Sequence, residues 1–139
     1  MRMLLLEDMP PDARMLMEAF DELGLDVQVD HVEDVDAALA YIDRCLREPA
    51  RDLPGLALVD IKVPGGSGID VVRHLRRQPA LRDIPILMLT SSGADEDIAE
   101  ARAAGATTYY IKPPDLDGFL ALARELHAFW MDRARVPRG

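Results

Sequence analysis

Cysteine, aromatic residues, positive charge and long apolar runs are all scarce in this chain. A single cysteine, Cys45, rules out an internal disulfide and suits a reducing compartment. Aromatic residues make up only 5% of the sequence, so a core drawn from its 49% hydrophobic content must be mainly aliphatic. Sixteen Lys and Arg against 25 Asp and Glu give a formal charge of −9, which repels nucleic acid and anionic lipid. No apolar stretch approaches the roughly 20 residues that cross a bilayer. The beginning, "MRMLLLED", reaches two acids after four apolar residues and is not a signal peptide. Direct nucleic-acid or membrane partners are therefore not expected, and a cytoplasmic location is. At 139 residues the chain has the length of about one domain and can bury a core without staples.

What is present is an alternation. Short apolar runs at Met3–Leu6, Val27–Val32, Leu56–Val59, Ile84–Leu89 and Thr107–Ile111 are of strand length, and three are nearly continuous, as in strands covered on both faces. Helical spacing separates them. Ala13, Leu16, Met17, Phe20 and Leu23 follow Pro10 and Pro11 and precede Gly24, while Val35, Ala38, Leu39, Ile42 and Leu46 follow Asp34 as N-cap. Further helices are predicted from Gly68 to Gln78, from Asp95 to Ala104 with Gly105 as cap, and from Pro114 to about Arg133. The segment "REPARDLPG" (47–55) reads as a polar loop. Five strand-then-helix units argue for a doubly wound α/β fold with a parallel sheet and helices on both faces. Right-handed crossovers then bring every strand's carboxyl end to one edge, where such sheets bind ligands.

The residues predicted at that edge are Glu7 and Asp8 after the first strand and Asp60 after the third. Thr90 and Ser91 end the fourth, and Lys112 with Pro113 ends the fifth. Two like charges about 4 Å apart repel by roughly 4 kcal/mol at an effective dielectric near 20. Three carboxylates and one lysine therefore call for a divalent cation. Oxygen ligands with open positions suit Mg²⁺, which bridges carboxylate to phosphate. An aspartate so neutralised is a competent nucleophile toward a phosphoryl group.

Four stretches in this order, "LLLEDMPPDARML", "LALVDIKVPGGSGIDVV", "IPILMLTSSG" and "AGATTYYIKPPD", resemble the receiver domains of two-component response regulators over essentially the whole length. The resemblance implies a flavodoxin-like (βα)5 fold with strand order 2-1-3-4-5, a receiver domain over residues 1–133 and a frayed tail at 134–139. It implies that Asp60 accepts a phosphoryl group from a phosphohistidine on a partner histidine kinase. Asp8, Asp60 and the backbone carbonyl of Lys62 would hold Mg²⁺, with Mn²⁺ an alternative, and Glu7 would orient metal-bound water. Thr90 and Lys112 would bind the phosphoryl oxygens, Tyr109 would be the switch aromatic, and the Lys112–Pro113 bond would be cis. "EDMPPDARML", Ser91–Ser92 and "KPPDLDGF" are similar to stand-alone regulators paired with bacterial phytochrome-type kinases. Lys62, two residues after the acceptor, departs from many receivers. Such a protein catalyses only its own phosphorylation and dephosphorylation, and would switch the surface of its fourth helix, fifth strand and fifth helix.

The simpler readings weigh less. Glu7–Asp8 alone fits a helix cap and Asp60 alone an Asx-turn, but capping does not require acids at two separate strand ends. The Gly65–Gly66–Ser67–Gly68 run lacks a following Gly-Lys-Ser/Thr and reads as a turn rather than a phosphate cradle. His31, His74 and His127 have no ligand spacing, and Tyr110 should face away from Tyr109. On the last helix Leu116, Phe119, Leu120, Ala123, Leu126 and Trp130 form one stripe. Leu122 and Phe129 widen it beyond the roughly 100° that a core contact needs, which suggests a partner or homodimer surface. Two other functions fit the pattern less well. A Mg²⁺-dependent aspartyl phosphohydrolase commonly has a second acid where Lys62 stands, and a phosphorylation-independent scaffold would not need the complete acceptor set.

Overall fold

A computed structural model of the chain describes residues 1–48 and 53–135, with side chains to residue 132. Part of the 47–55 loop and residues 136–139 of the expected tail lie outside the described residues. Five strands, β1 (Arg2–Leu6), β2 (Gln28–Val32), β3 (Leu56–Val59), β4 (Ile86–Thr90) and β5 (Thr108–Ile111), alternate with five helices. These are α1 (Pro10–Glu22), α2 (Val35–Arg47), α3 (Gly68–Arg77), α4 (Asp95–Ala104) and α5 (Leu116–Arg135). The main sheet is parallel throughout, in the order β2-β1-β3-β4-β5, so the expected doubly wound, flavodoxin-like fold is the one observed. A two-residue antiparallel ladder, Lys62–Val63 with Gly66–Ser67, follows β3.

Alternation along the strands builds two separate cores. Leu4, Leu6, Ala57, Val59, Ile86 and Met88 face α2, α3 and α4, whereas Met3, Leu5, Leu56, Leu58, Leu87 and Leu89 face α1 and α5. A strand's side chains point to opposite faces in turn, so central strands covered on both sides must be apolar at every position. Accordingly β3 and β4 are buried along their entire length, while β2 and β5, at the sheet edges, are only half-buried. Tyr109 packs on the first core and Tyr110 on the second, as the alternation predicts.

Local chemistry sets the helix ends. Asp34 caps α2 by accepting from the Ala37 N–H at 2.7 Å, and Ser67 caps α3 by accepting from Ile69. Gly105 closes α4 with φ of 113°, a left-handed conformation in which a side chain is disfavoured. One apolar run begins later than its composition suggests: Ile84 is buried but lies in the turn after α3, and β4 starts at Ile86. Pro85 has no N–H to give a ladder, and contributes its carbonyl to Ala57 instead.

The wide apolar arc of α5 has a structural explanation. Leu122 is only 4% exposed and belongs with Phe119, Ala123 and Leu126 in the α1–α5 core, which corrects its assignment to a partner surface. Helix α5 packs against both the sheet and the neighbouring α1, so it needs more than one narrow stripe inside. Phe129 is half-buried against the same core. Ile111, at 51% exposure, is an exposed aliphatic residue on the edge strand β5.

Candidate acceptor site at the carboxyl edge of the sheet

The first, third, fourth and fifth strands deliver Glu7, Asp60, Thr90 and Lys112 to one place. Glu7, Asp60 and Thr90 are the buried polar residues of the described chain, with exposures of 1%, 4% and 1%. Burying charge is costly without partners, and these have one. The Lys112 ammonium lies 2.9 Å from Glu7 Oε1, 2.9 Å from Asp60 Oδ2 and 3.0 Å from Asp12 Oδ2. Burial alone would lower the Lys112 pKa, but hydrogen bonds to Asp60, Glu7 and Asp12 outweigh it and hold the pKa well above the ordinary value. Glu7 moves up from the usual carboxylate range, because loss of solvent outweighs the bonds from Lys112 and the Met9 N–H.

Glu7, Asp8 and Asp60 each offer an oxygen within 4.8 Å of the others. The donor set suits a divalent cation, and a second feature agrees with it. Glu7 Oε2 accepts from Lys112 and Met9, whereas Oε1 is buried and accepts no hydrogen bond, although the ammonium sits beside it. A buried carboxylate oxygen left in that condition is what a metal-bound water would satisfy. All of the predicted acids thus come together. The Lys62 side chain is exposed, and its N–H reaches Asp60 Oδ1 at 3.3 Å.

Two backbone details make room for this cluster. Gly65 and Gly66 have φ of 87° and 144°, so the glycine run is the turn the sequence suggested. Gly68 sits against the Asp60 backbone, and its N–H donates to the Ile61 carbonyl at 2.9 Å. The Lys112–Pro113 bond is trans, since the described residues contain no cis peptide, which corrects the expected cis bond. Trans is the intrinsically preferred form, and the four-carbon lysine stem reaches the acids from it.

Behind the acids, Thr90 Oγ1 accepts from the Ser92 N–H at 3.4 Å, and Tyr109 donates its hydroxyl to the Ser92 carbonyl at 2.8 Å. Ser92 in turn bonds Asp97 through its hydroxyl, at 2.5 Å, tying this loop to the first turn of α4. One residue of the site escaped the sequence reading. Asp12, on the first turn of α1, is a fourth carboxylate on the cluster. Its place in "EDMPPD" gives no spacing signal, because Asp8 precedes α1 and only Asp12 lies on it. A hollow of about 450 Å³ lies elsewhere, beside Met1, Gln28 and Trp130. Its chemistry is unremarkable beside the buried acids.

Residues 3–124 match the family described as response regulator receiver domain. The chain belongs to that family. A curated relative, the probable methanogenesis regulatory protein FilR2 of Methanothrix harundinacea, is 32% identical over 134 residues, covering 96% of this chain and 86% of FilR2. Among solved structures, the phosphorylated cyanobacterial phytochrome response regulator RcpA superposes with a TM-score of 0.85 at 26% identity, covering 99% of this chain and 98% of RcpA. The Mn²⁺-bound form of Rcp1 superposes with a TM-score of 0.78 at 23% identity over 99% of both chains, a likeness of fold. Rcp1 comes from Synechocystis and aligns with this receiver at 25% identity over 96% of this chain and 91% of its own. This is thus a receiver-type response regulator with phytochrome-associated relatives. Among the described residues no helix is long and apolar enough to cross a membrane.

All three tyrosines of the chain have phenols held above the ordinary pKa of 10. Burial is the leading cause in each, reinforced at Tyr41 by Asp30 and at Tyr110 by Glu125, and opposed at Tyr109 by its bond to Ser92. A folded pKa above the unfolded one gives stability that is complete below the unfolded pKa of about 10 and is lost as pH rises through the folded values. Spectrophotometric titration should therefore show little tyrosinate at pH 10 and a steep rise above it, together with loss of far-UV dichroism. Half-ionisation at pH 10 with the fold intact would contradict this.

Proposed function

We propose that the protein accepts a phosphoryl group on Asp60 from the phosphohistidine of a histidine kinase, and that the modified chain presents an altered α4–β5–α5 face to its target. The observation that carries the reading is the buried Asp60 carboxylate paired at 2.9 Å with Lys112, beside Glu7 and Asp8. In the transfer, an Asp60 oxygen forms the bond to phosphorus, the phosphorus–nitrogen bond breaks, and its electron pair remains on the imidazole. Asp8, Asp60 and the Lys62 carbonyl are the ligands of choice for Mg²⁺ or Mn²⁺, with Glu7 bound through water. When bound, that cation supplies the charge that offsets the crowded acids and the incoming phosphoryl oxygens.

The remaining roles fall to the chain's own groups. Lys112 moves a donor from Asp60 to a phosphoryl oxygen. Thr90 turns its hydroxyl toward the same group and so leaves the Ser92 N–H. Because Tyr109 and Asp97 hold that same Ser92, the loss is felt by β5 and by the start of α4. A shift of population between two arrangements needs only a few kcal/mol of differential stabilisation. A phytochrome-type kinase is the favoured partner, on the likeness to RcpA and Rcp1, and the working compartment is the cytoplasm. Ile111 of β5, with Phe129 and Met131 of α5, is among the apolar residues offered to a target or a second copy.

Two measurements test this reading. Phosphotransfer from a panel of histidine kinases of the same genome should be fast and selective for one chromophore-binding kinase, and equal, slow transfer from all would remove the phytochrome link. Lys112→Met should slow labelling by acetyl phosphate on the order of 10²-fold, the usual cost of removing one donor to the transferred group. A rate within threefold of wild type would show that the ammonium does not serve the transfer.

A further inference from the structure

An ammonium has three N–H donors, and those of Lys112 all face carboxylates. Asp60 and Glu7 belong to the metal-binding cluster, whereas Asp12 does not. Asp12 comes from the first turn of α1 and its side chain is 22% exposed, against 2% for the Glu7 side chain and 5% for that of Asp60, so it meets the ammonium from the solvent side. It therefore adds an anion to a site already overloaded with them, and it occupies a donor.

Phosphorylation redistributes these bonds. The donor that serves Asp60 passes to a phosphoryl oxygen. For Lys112 to give a second one, it must leave Glu7 or Asp12. Withdrawal from Glu7 strands a buried carboxylate, which is strongly unfavourable. Withdrawal from Asp12 exposes a carboxylate that water can solvate. Asp12 is thus the contact that yields, and its charge opposes the arriving group until it does.

We propose that Asp12 is a positioning residue that competes with the phosphoryl group for the Lys112 ammonium, and so restrains phosphorylation of Asp60. This rests on Asp60 being the acceptor and adds a brake to it. The step concerned is balanced: an Asp60 oxygen bonds phosphorus, the phosphorus–oxygen bond of acetyl phosphate breaks, and its electron pair leaves on acetate.

The test compares wild type, Asp12→Asn and Asp12→Ala in three measurements. With acetyl phosphate and Mg²⁺, both variants should label faster than wild type, by roughly fivefold, the scale of one partly exposed ion pair. Beryllofluoride should bind both correspondingly tighter. In the metal-free protein the ¹⁵Nζ resonance of Lys112 should move in both, since an acceptor has been weakened or removed. A purely structural tie between α1 and β5 would lower the melting temperature and could not raise the labelling rate. Asp12→Asn, which keeps an oxygen acceptor of the same shape, guards against a fold lost in Asp12→Ala. Rates at or below wild type in folded variants, or an unmoved Lys112 resonance, overturn the competition and leave Asp60 as acceptor. A wild type that takes no label overturns both.

Discussion

Gly68→Ala should leave little folded protein at ambient temperature. A Cβ on Gly68 would stand 1.8 Å from the Asp60 carbonyl oxygen, 2.8 Å from its carbon and 2.9 Å from Val59 Cγ1. Two of those atoms are backbone of the strand end that carries the acceptor, so no side chain can swing aside. The start of α3 would have to lift from β3, breaking the Gly68 N–H bond to Ile61 and opening a core that includes Ile69 and Val72. Such a displacement should cost about 4 kcal/mol or more, a large part of the 5–15 kcal/mol that holds a domain together. Gly68 is thus required for close approach, not for an unusual φ. Gly93→Ala is the matched control, since the nearest atom to its Cβ is Ile111 Cδ1 at 3.8 Å. Thermal melts should show Gly93→Ala near wild type and Gly68→Ala far below it. A Gly68→Ala protein that melts within about 3 °C of wild type, roughly the shift from 1 kcal/mol in a domain of this size, would contradict the packing described.

Much of this was readable in the residues because two periodicities coincide with two cores. Leu4 and Leu6 against Met3 and Leu5 already divide the strand between opposite faces, and strict strand–helix alternation leaves few topologies. The acids were legible for a related reason: a carboxylate ending a buried strand has one edge to go to. What was not legible depends on how elements sit against each other. Asp12 reaches Lys112 only because α1 turns its first carboxylate toward the sheet edge, and spacing along a helix does not fix that rotation. Leu122 looked surplus to one core stripe, but α5 is covered by both α1 and the sheet. Ile84 extended an apolar run without joining the strand, because Pro85 interrupts the ladder. The Lys112–Pro113 bond, expected to be cis by analogy, is trans, and the lysine stem reaches the acids from it.

Asp60→Asn should abolish phosphorylation while preserving the fold. An asparagine keeps the shape and the carbonyl acceptor of Asp60 for the Lys62 N–H, but its amide is no nucleophile toward phosphorus. The neighbouring acids are poor substitutes. Glu7 is 1% exposed and held by Lys112 and Met9, and Asp12 stands outside the Glu7–Asp8–Asp60 group. Asp8 is more accessible, and it is the acid to watch for adventitious label.

The most direct measurement is intact mass and peptide mapping after incubation with acetyl phosphate and Mg²⁺. The expected result is one phosphoryl group on wild type, mapped to the peptide that contains Asp60, and none on Asp60→Asn. Label on the variant at the wild-type rate, or label on wild type mapped to another residue, would contradict the assignment of Asp60 as the acceptor.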